Sequence, residues 1–321
     1  MSIPWRRLIR RILSMLGTLL GVAVFVFIML RAIPGNQITA GLGTEAAALT
    51  PDQRGALEAY YGIDKPLVVQ FFTWLGNVLT GNLGFSSRSQ VSVLSLTLNA
   101  LPVTFELAVL SIVLALVIGI PLGMLSASKP DSARDAVGQV VGLAGLSVPS
   151  FLLGSALLTI LSATFHFNPN GEAYATLIED PVRNLRQMLL PSLVLGFGIA
   201  APIMRTTRTA LLEVRSQDFV RTARAKGVGM RRLQVRHILG NALVPIVTIT
   251  GLQFGYLLGG AVVVEQIFSL PGIGRQVLIG IQGKEYAVVQ STVLIIALSF
   301  VLVNLLTDIL YRIIDPRVRA E

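Results

Sequence analysis

The sequence predicts an all-α polytopic membrane protein with six transmembrane helices, and three observations predict it. Apolar residues make up 53% of the chain and charged residues only 13%, against about 25% charged in soluble domains; mean hydropathy is +0.72. Several apolar runs reach the roughly 20 residues that a bilayer demands. The charges are also sorted along the chain. The N-terminus, residues 127–136, residues 205–243 and the C-terminal stretch 308–321 hold 18 of the 26 Lys/Arg, while 10 of the 17 acids lie elsewhere. That positive-inside bias predicts six spans with both termini in the cytosol.

Taken in order, Arg6, Arg7, Arg10 and Arg11 precede an apolar run from Ile12 to Leu30. The run is long for a signal peptide, and Arg31-Ala32-Ile33-Pro34-Gly35 offers no small-x-small cleavage site. Residues 1–33 therefore read as a cytosolic N-terminus and an uncleaved first span, which also counts against twin-Arg export. Residues 34–100 read as an ordered extracytoplasmic segment, too long for a simple connection. Within it Thr50-Pro51 opens a helix with Pro51 at its first position, and Gly62 stops it after about Tyr61. Leu67 to Leu79 is amphipathic, with Phe71, Phe72, Trp74 and Leu75 as interfacial anchors.

Residues 101–314 supply the other five spans. Thr104 to Ser126 is bounded by Pro102 and by Lys129-Pro130. Val137 to Phe165 is interrupted at Ser147-Val148-Pro149-Ser150. Leu189 to Met204 has Pro191 and Pro202 near its ends, and Pro245 to Val264 and Val288 to Tyr311 complete the set, with 315–321 as a cytosolic tail. Gly138, Gly142 and Gly145, and Gly251, Gly255 and Gly259, recur at spacings that serve close helix packing.

Composition excludes several functions. The chain has no cysteine and two histidines, His166 and His237, predicted on opposite sides of the membrane; neither a disulfide framework nor a histidine metal site follows. No Ser/His/Asp set or intramembrane carboxylate pair appears within one span. Gly280-Ile281-Gln282-Gly283-Lys284 comes nearest to a phosphate-binding loop, but Glu285 stands where Ser or Thr would hold magnesium. No cofactor is therefore expected in this chain. The net charge of +9 reads as topology and contact with membrane lipid, about 1 kcal/mol per basic residue near anionic headgroups, and not as nucleic-acid binding. Three ionisable residues fall in or near spans. Glu106 is placed to snorkel to water, Glu265 closes the fifth span on the outer face, and Asp308 is spaced to pair with Arg312. The absence of a buried charge relay weighs against an ion-coupled transporter.

One stretch remains, the strongly basic loop 205–243 between two apolar runs. Inside it Asp218-Phe219-Val220-Arg221-Thr222-Ala223-Arg224-Ala225-Lys226-Gly227 reads as about two turns of helix, with Asp218 as N-cap and Gly227 as the left-handed stop. A second helical stretch runs from Met230 to Leu243. A short capped helix between two spans is shaped to be gripped from outside the membrane, and Thr222, Ala223 and Ala225 give it a slim profile.

Phe219 to Gly227, followed by His237-Ile238-Leu239, resembles the EAA motif loop of ABC-importer permeases in the form found in the dipeptide/oligopeptide/nickel branch. The general pattern begins with an acid where this chain has Arg221, and ends in a proline that here comes later, at Pro245. Leu30 to Gly35, Gly62-Ile63-Asp64-Lys65-Pro66 with Gln70, Gly81-Asn82-Leu83-Gly84, Leu101 to Leu107, Glu265 to Phe268 with Pro271 to Gly274, and Asp308 with Asp315 to Arg319 follow the same family in order. The long segment after the first span resembles the B-type subunit.

The resemblance implies a type I ABC importer transmembrane domain in a bacterial cytoplasmic (inner) membrane, forming half of the translocation path for peptides. It implies a second homologous permease as heterodimer partner and two ABC ATPase subunits or domains, with ATP and Mg bound in those partners. It also implies an extracytoplasmic solute-binding protein. The residues implied to couple to the ATPases are Asp218, Phe219, Arg221, Thr222, Ala223, Arg224, Ala225, Lys226, Gly227 and His237. The alternatives are a stand-alone secondary transporter or channel, and an intramembrane enzyme.

Overall fold

The computed structural model describes residues 5–32, 38, 46, 48–166, 168, 171–229, 232–233 and 238–314. These residues form twelve α-helices: α1 Trp5–Ala32, α2 Pro51–Tyr61, α3 Leu67–Leu79, α4 Val93–Ser128, α5 Ala133–Ser147, α6 Ser150–Phe165, α7 Pro181–Arg215, α8 Asp218–Ala225, α9 Gly240–Gly260, α10 Val262–Ile267, α11 Ile273–Gln282 and α12 Tyr286–Ile314. Among the described residues there is no strand, only one isolated antiparallel bridge between Phe85 and Ser92. Five helices are long and apolar enough to cross a membrane, and the bent pair α5–α6 brings the number to six when it is counted as one span.

Several expected boundaries hold. Helix α2 starts at Pro51 behind a capping box in which Thr50 and Gln53 bond each other's backbone, and it ends at Gly62 with φ +66°. Helix α3 has the expected bounds. The break in the third span is a 94° bend. Pro149 lacks an N–H, and its ring forces Val148 to an extended φ/ψ of −87°/115°, so the helix cannot continue.

Other boundaries need correcting. The second span does not begin after Pro102; α4 starts at Val93 and runs through that proline. The fourth span, placed at Leu189 to Met204, is the middle of a 35-residue helix with Pro191 and Pro202 inside it. Pro245 likewise lies inside α9. Membrane helices tolerate proline because neighbouring helices and Ser/Thr side chains re-satisfy the freed backbone groups. At 1.5 Å per residue, α4 and α7 are each about 50 Å long, well beyond the roughly 30 Å of hydrocarbon.

The chain divides into two compact units, Met1–Val103 with Pro271–Val301, and Thr104–Leu270 with Leu302–Glu321. In the first unit, Phe27 of α1 packs edge-on against Phe71 of α3 at 5.2 Å between centroids. Glu285 accepts from Ser86 Oγ (2.8 Å), Ser87 Oγ (3.1 Å) and the Arg88 N–H (2.8 Å). This carboxylate, which rules out a phosphate loop, anchors the turn before α4.

In the second unit α7 is the hub, packed against α5, α6, α9 and α10. Its most apolar window is 67% buried, which makes α7 the core span of this unit, whereas that of α1 in the first unit is only 11% buried. Glycines set how close α4 and α7 come. A Cβ on Gly119 would meet the Ala200 carbonyl at 2.8 Å, and one on Gly123 the Met204 carbonyl and Thr207 Cβ at 2.7 Å. The expected glycine face of α5 holds too: Gly138, Gly142 and Gly145 are buried, the last two against Met204 and Ala201 of α7. On α9 only Gly251 and Gly255 are buried; Gly259 is exposed.

Candidate functional site

The basic stretch 205–243 does not form one loop. Arg205, Arg208 and Arg215 lie on α7, which continues to Arg215. A two-residue turn, Ser216-Gln217, then leads into α8. Asp218 is not the N-cap: Gln217 holds the extended cap geometry, with no side-chain cap bond, and Asp218 is the first helical residue. There its carboxylate, 96% exposed, pairs loosely with Arg221 at 3.7 Å, and it favours the positive end of the helix dipole.

The C-terminal end is as expected. Gly227 has φ +74°. Its N–H bonds the Arg224 carbonyl at 3.0 Å, and the Val228 N–H reaches back to the Ala223 carbonyl at 3.2 Å. These are the two bonds of a Schellman motif, which needs a left-handed residue at the position of Gly227.

The eight residues of α8 present two faces. Val220, 1% exposed, sits in an apolar cluster with Ala127, Ala210, Leu211, Val214, Leu233, Ile238 and Ala242, and Ala223 and Val228 pack against it. Ala223 is thus part of the inner anchor, not the outer profile. Asp218, Phe219, Arg221, Thr222, Arg224, Ala225, Lys226 and Gly227 are exposed. Phe219, 38% exposed, adds an aromatic side chain to a surface that also carries Arg221, Arg224 and Lys226. Such a face can bind a partner; it offers no nucleophile or acid–base pair. Met230, Arg231, Arg236 and His237 lie outside the described residues, as do the Asp308 and Arg312 side chains and the tail from Asp315 to Arg319.

The ground under α8 is fixed by charges that sequence reasoning missed. Arg215 at the end of α7 donates through Nη1 to the Ala127 carbonyl at the end of α4. Asp135, on the first turn of α5, accepts from Arg208 Nε at 2.8 Å and Nη2 at 2.6 Å. It also accepts from Ser126 Oγ, Gln139 Nε2 (3.1 Å) and the Asp131 N–H (3.0 Å). The Asp135 side chain is 1% exposed. A two-toothed guanidinium–carboxylate pair of this kind fixes geometry as well as charge. It joins α4, α5 and α7 at one end of the second unit. The signal in the sequence is Ser132 three residues before Asp135, a helix-start pattern; the partner 73 positions away leaves none.

The remaining ionisable residues are held by protein groups. Glu106 accepts from the Tyr174 hydroxyl at 3.2 Å and Asn184 Nδ2 at 3.3 Å, so snorkelling to water is not its only satisfaction. Burial, together with the Glu106 charge, pushes the Tyr174 phenol above its ordinary value, which keeps it a donor. Glu265 is fully buried and accepts from Thr104 Oγ1 at 2.6 Å. It closes its helix inside the second unit rather than at a wet face.

Two family descriptions match the chain. The binding-protein-dependent transport system inner membrane component matches residues 119–320, and the N-terminal part of such a membrane component matches residues 5–108. Among curated relatives, the glutathione transport system permease protein of Pectobacterium atrosepticum is 39% identical over 314 residues, covering 98% of each chain. A putative peptide permease protein of Brucella ovis is 37% identical over 317 residues, 98% of this chain and 99% of the relative. The dipeptide transport system permease protein of Escherichia coli K12 is 34% identical over 336 aligned positions, 98% of each. An all-α chain with five or six spans, a short closed helix after the core span of its second unit and near-complete alignment to transport permeases leave one assignment: the chain belongs to the binding-protein-dependent transport system inner membrane component family, as a multi-pass permease subunit of an ABC importer.

Proposed function

We propose that this permease carries peptides, and that α8 is where ATPase subunits couple to the path. The observation that carries the second part is the division of α8 into two faces. Val220 and Ala223 fix it to the core cluster, while Phe219, Arg221, Arg224 and Lys226 are exposed. A rigid helix clamped to the end of the hub span transmits displacement; a flexible loop would absorb it. Two ABC ATPase subunits or domains, holding ATP and magnesium, grip the outer face of α8. Their closure moves α7 and α4 through Arg215 and Arg208–Asp135, switching the path between two discrete states. A second, homologous permease completes the path as a heterodimer, and an extracytoplasmic solute-binding protein delivers the peptide. Both termini and α8 face the cytosol, where positive charge concentrates.

The peptide class is supported by relatives named for glutathione, dipeptide and peptide transport. The full complex in proteoliposomes tests the reading. Uptake of a labelled dipeptide or of glutathione requires ATP and the binding protein, and Arg224→Glu lowers it at least about tenfold while the permease stays in the membrane. Uptake by the permease alone, driven by an ion gradient, contradicts it and returns the secondary-transporter alternative.

A further inference from the structure

The first unit contains a cavity of about 210 Å³ lined by Arg31, Lys65, Trp74 and Gln290, among other residues. Its chemistry is one-sided: among the described residues no Asp or Glu lines it. Arg31, at the last turn of α1, spends Nε on Gln70 Oε1 at 3.0 Å and Nη1 on the Phe27 carbonyl at 3.5 Å. Its guanidinium carbon lies 3.4 Å from the centroid of the Phe27 ring. Gln70 is itself tied by its Nε2 to the Lys65 and Ile63 carbonyls, so Arg31 is held in place by a fully engaged amide. Among the described residues no carboxylate pairs with Arg31.

Two further side chains on the lining carry buried N–H groups without an acceptor, Trp74 Nε1 and Gln290 Nε2. Gln290 is only 4% exposed. Buried donors in native proteins almost always find a partner, and these two belong to residues that line the same cavity as a fixed guanidinium without a described carboxylate, so one acceptor bound there is the simplest partner for all three. That group accepts hydrogen bonds and carries negative charge.

We propose that this cavity is a binding site for an oxyanion group, a carboxylate or a phosphate, with Arg31 as its charge partner, Trp74 and Gln290 as neutral donors, and Lys65 at the rim. The group comes either from an anionic phospholipid headgroup, at the end of a span whose surface is largely exposed, or from a small soluble anion.

Trp74 provides the readout. The chain has two tryptophans, so Trp5→Phe leaves Trp74 as the sole indole of the permease. This full-length chain, in nanodiscs of phosphatidylcholine, is exposed to three probes at constant ionic strength: glycerol phosphate, acetate, and increasing fractions of phosphatidylglycerol. Saturable change in Trp74 emission with at least one probe is expected. Response to phosphatidylglycerol alone assigns the headgroup; response to glycerol phosphate or acetate assigns a soluble anion. Arg31→Gln in the same background raises the half-saturating concentration by on the order of tenfold or more. If Arg31→Gln fails to fold, Lys65→Gln, an exposed position, decides instead, with an expected increase of several-fold. No saturable response to any probe overturns the proposal, and so does unchanged affinity in the deciding variant.

Discussion

Gly227 and Asp135 mark the two extremes of what a residue reveals in a sequence. The role of Gly227 is local. Its φ of +74° and the two backbone bonds that close α8 involve residues within five positions, so the composition around it already names the motif. Space is not the constraint, since among the described residues nothing lies within 4 Å of an added Cβ. A valine there strains the backbone alone, by about 1–2 kcal/mol. Gly227→Val is therefore expected to reach the membrane at normal abundance while losing ATP-driven uptake and retaining its ATPases poorly. Wild-type uptake together with wild-type co-purification contradicts the role given to this turn.

Asp135 was illegible because its partner, Arg208, is 73 positions away, on a part of α7 that hydropathy alone assigns to a loop. Asp135→Asn keeps the shape but removes the charge facing Arg208 and leaves that part-buried guanidinium without its paired carboxylate. Thermal unfolding of the purified chain is expected to fall by several degrees, and more than for Lys226→Gln on the exposed face. An equal effect of the two contradicts the structural role of the pair.

At the scale of elements, the sequence located the middle of each span but not its ends, and gave no sign of α11. Helix α2 was readable because Thr50, Pro51 and Gly62 are all local signals. Helices α4 and α7 were underestimated because their ends are polar or contain proline, and packing rather than propensity extends them. The Asp218 error has the same origin: several residues there can cap a helix, and Gln217 takes the extended cap geometry. Orientation is a separate matter, carried by charge. A reporter active only in the cytosol is expected to work when fused after Lys129, Arg224 or Arg319, and to be silent after Ala56 or Glu179. Activity after Ala56 contradicts the placement of α2 and α3 outside.

For the whole molecule, composition and charge sorting were enough for the class, and the string Arg221 to Gly227 for the family. The two-unit division was hidden, since it pairs residues 271–301 with the N-terminal hundred. So was the glycine-mediated approach of α4 to α7 at Gly119 and Gly123, which looks in the sequence like any other small-residue spacing. The central claim is that α8, clamped at Val220 and exposed at Arg224, is the surface an ATPase grips. The chain has no cysteine, so Arg224→Cys carries a single photo-crosslinking label without further substitution. In the assembled importer the label at position 224 is expected to capture an ATPase subunit, with a yield that changes on adding ATP, while the same label at Ala56→Cys captures none. Capture of the ATPase from another position, with none from position 224, contradicts the account.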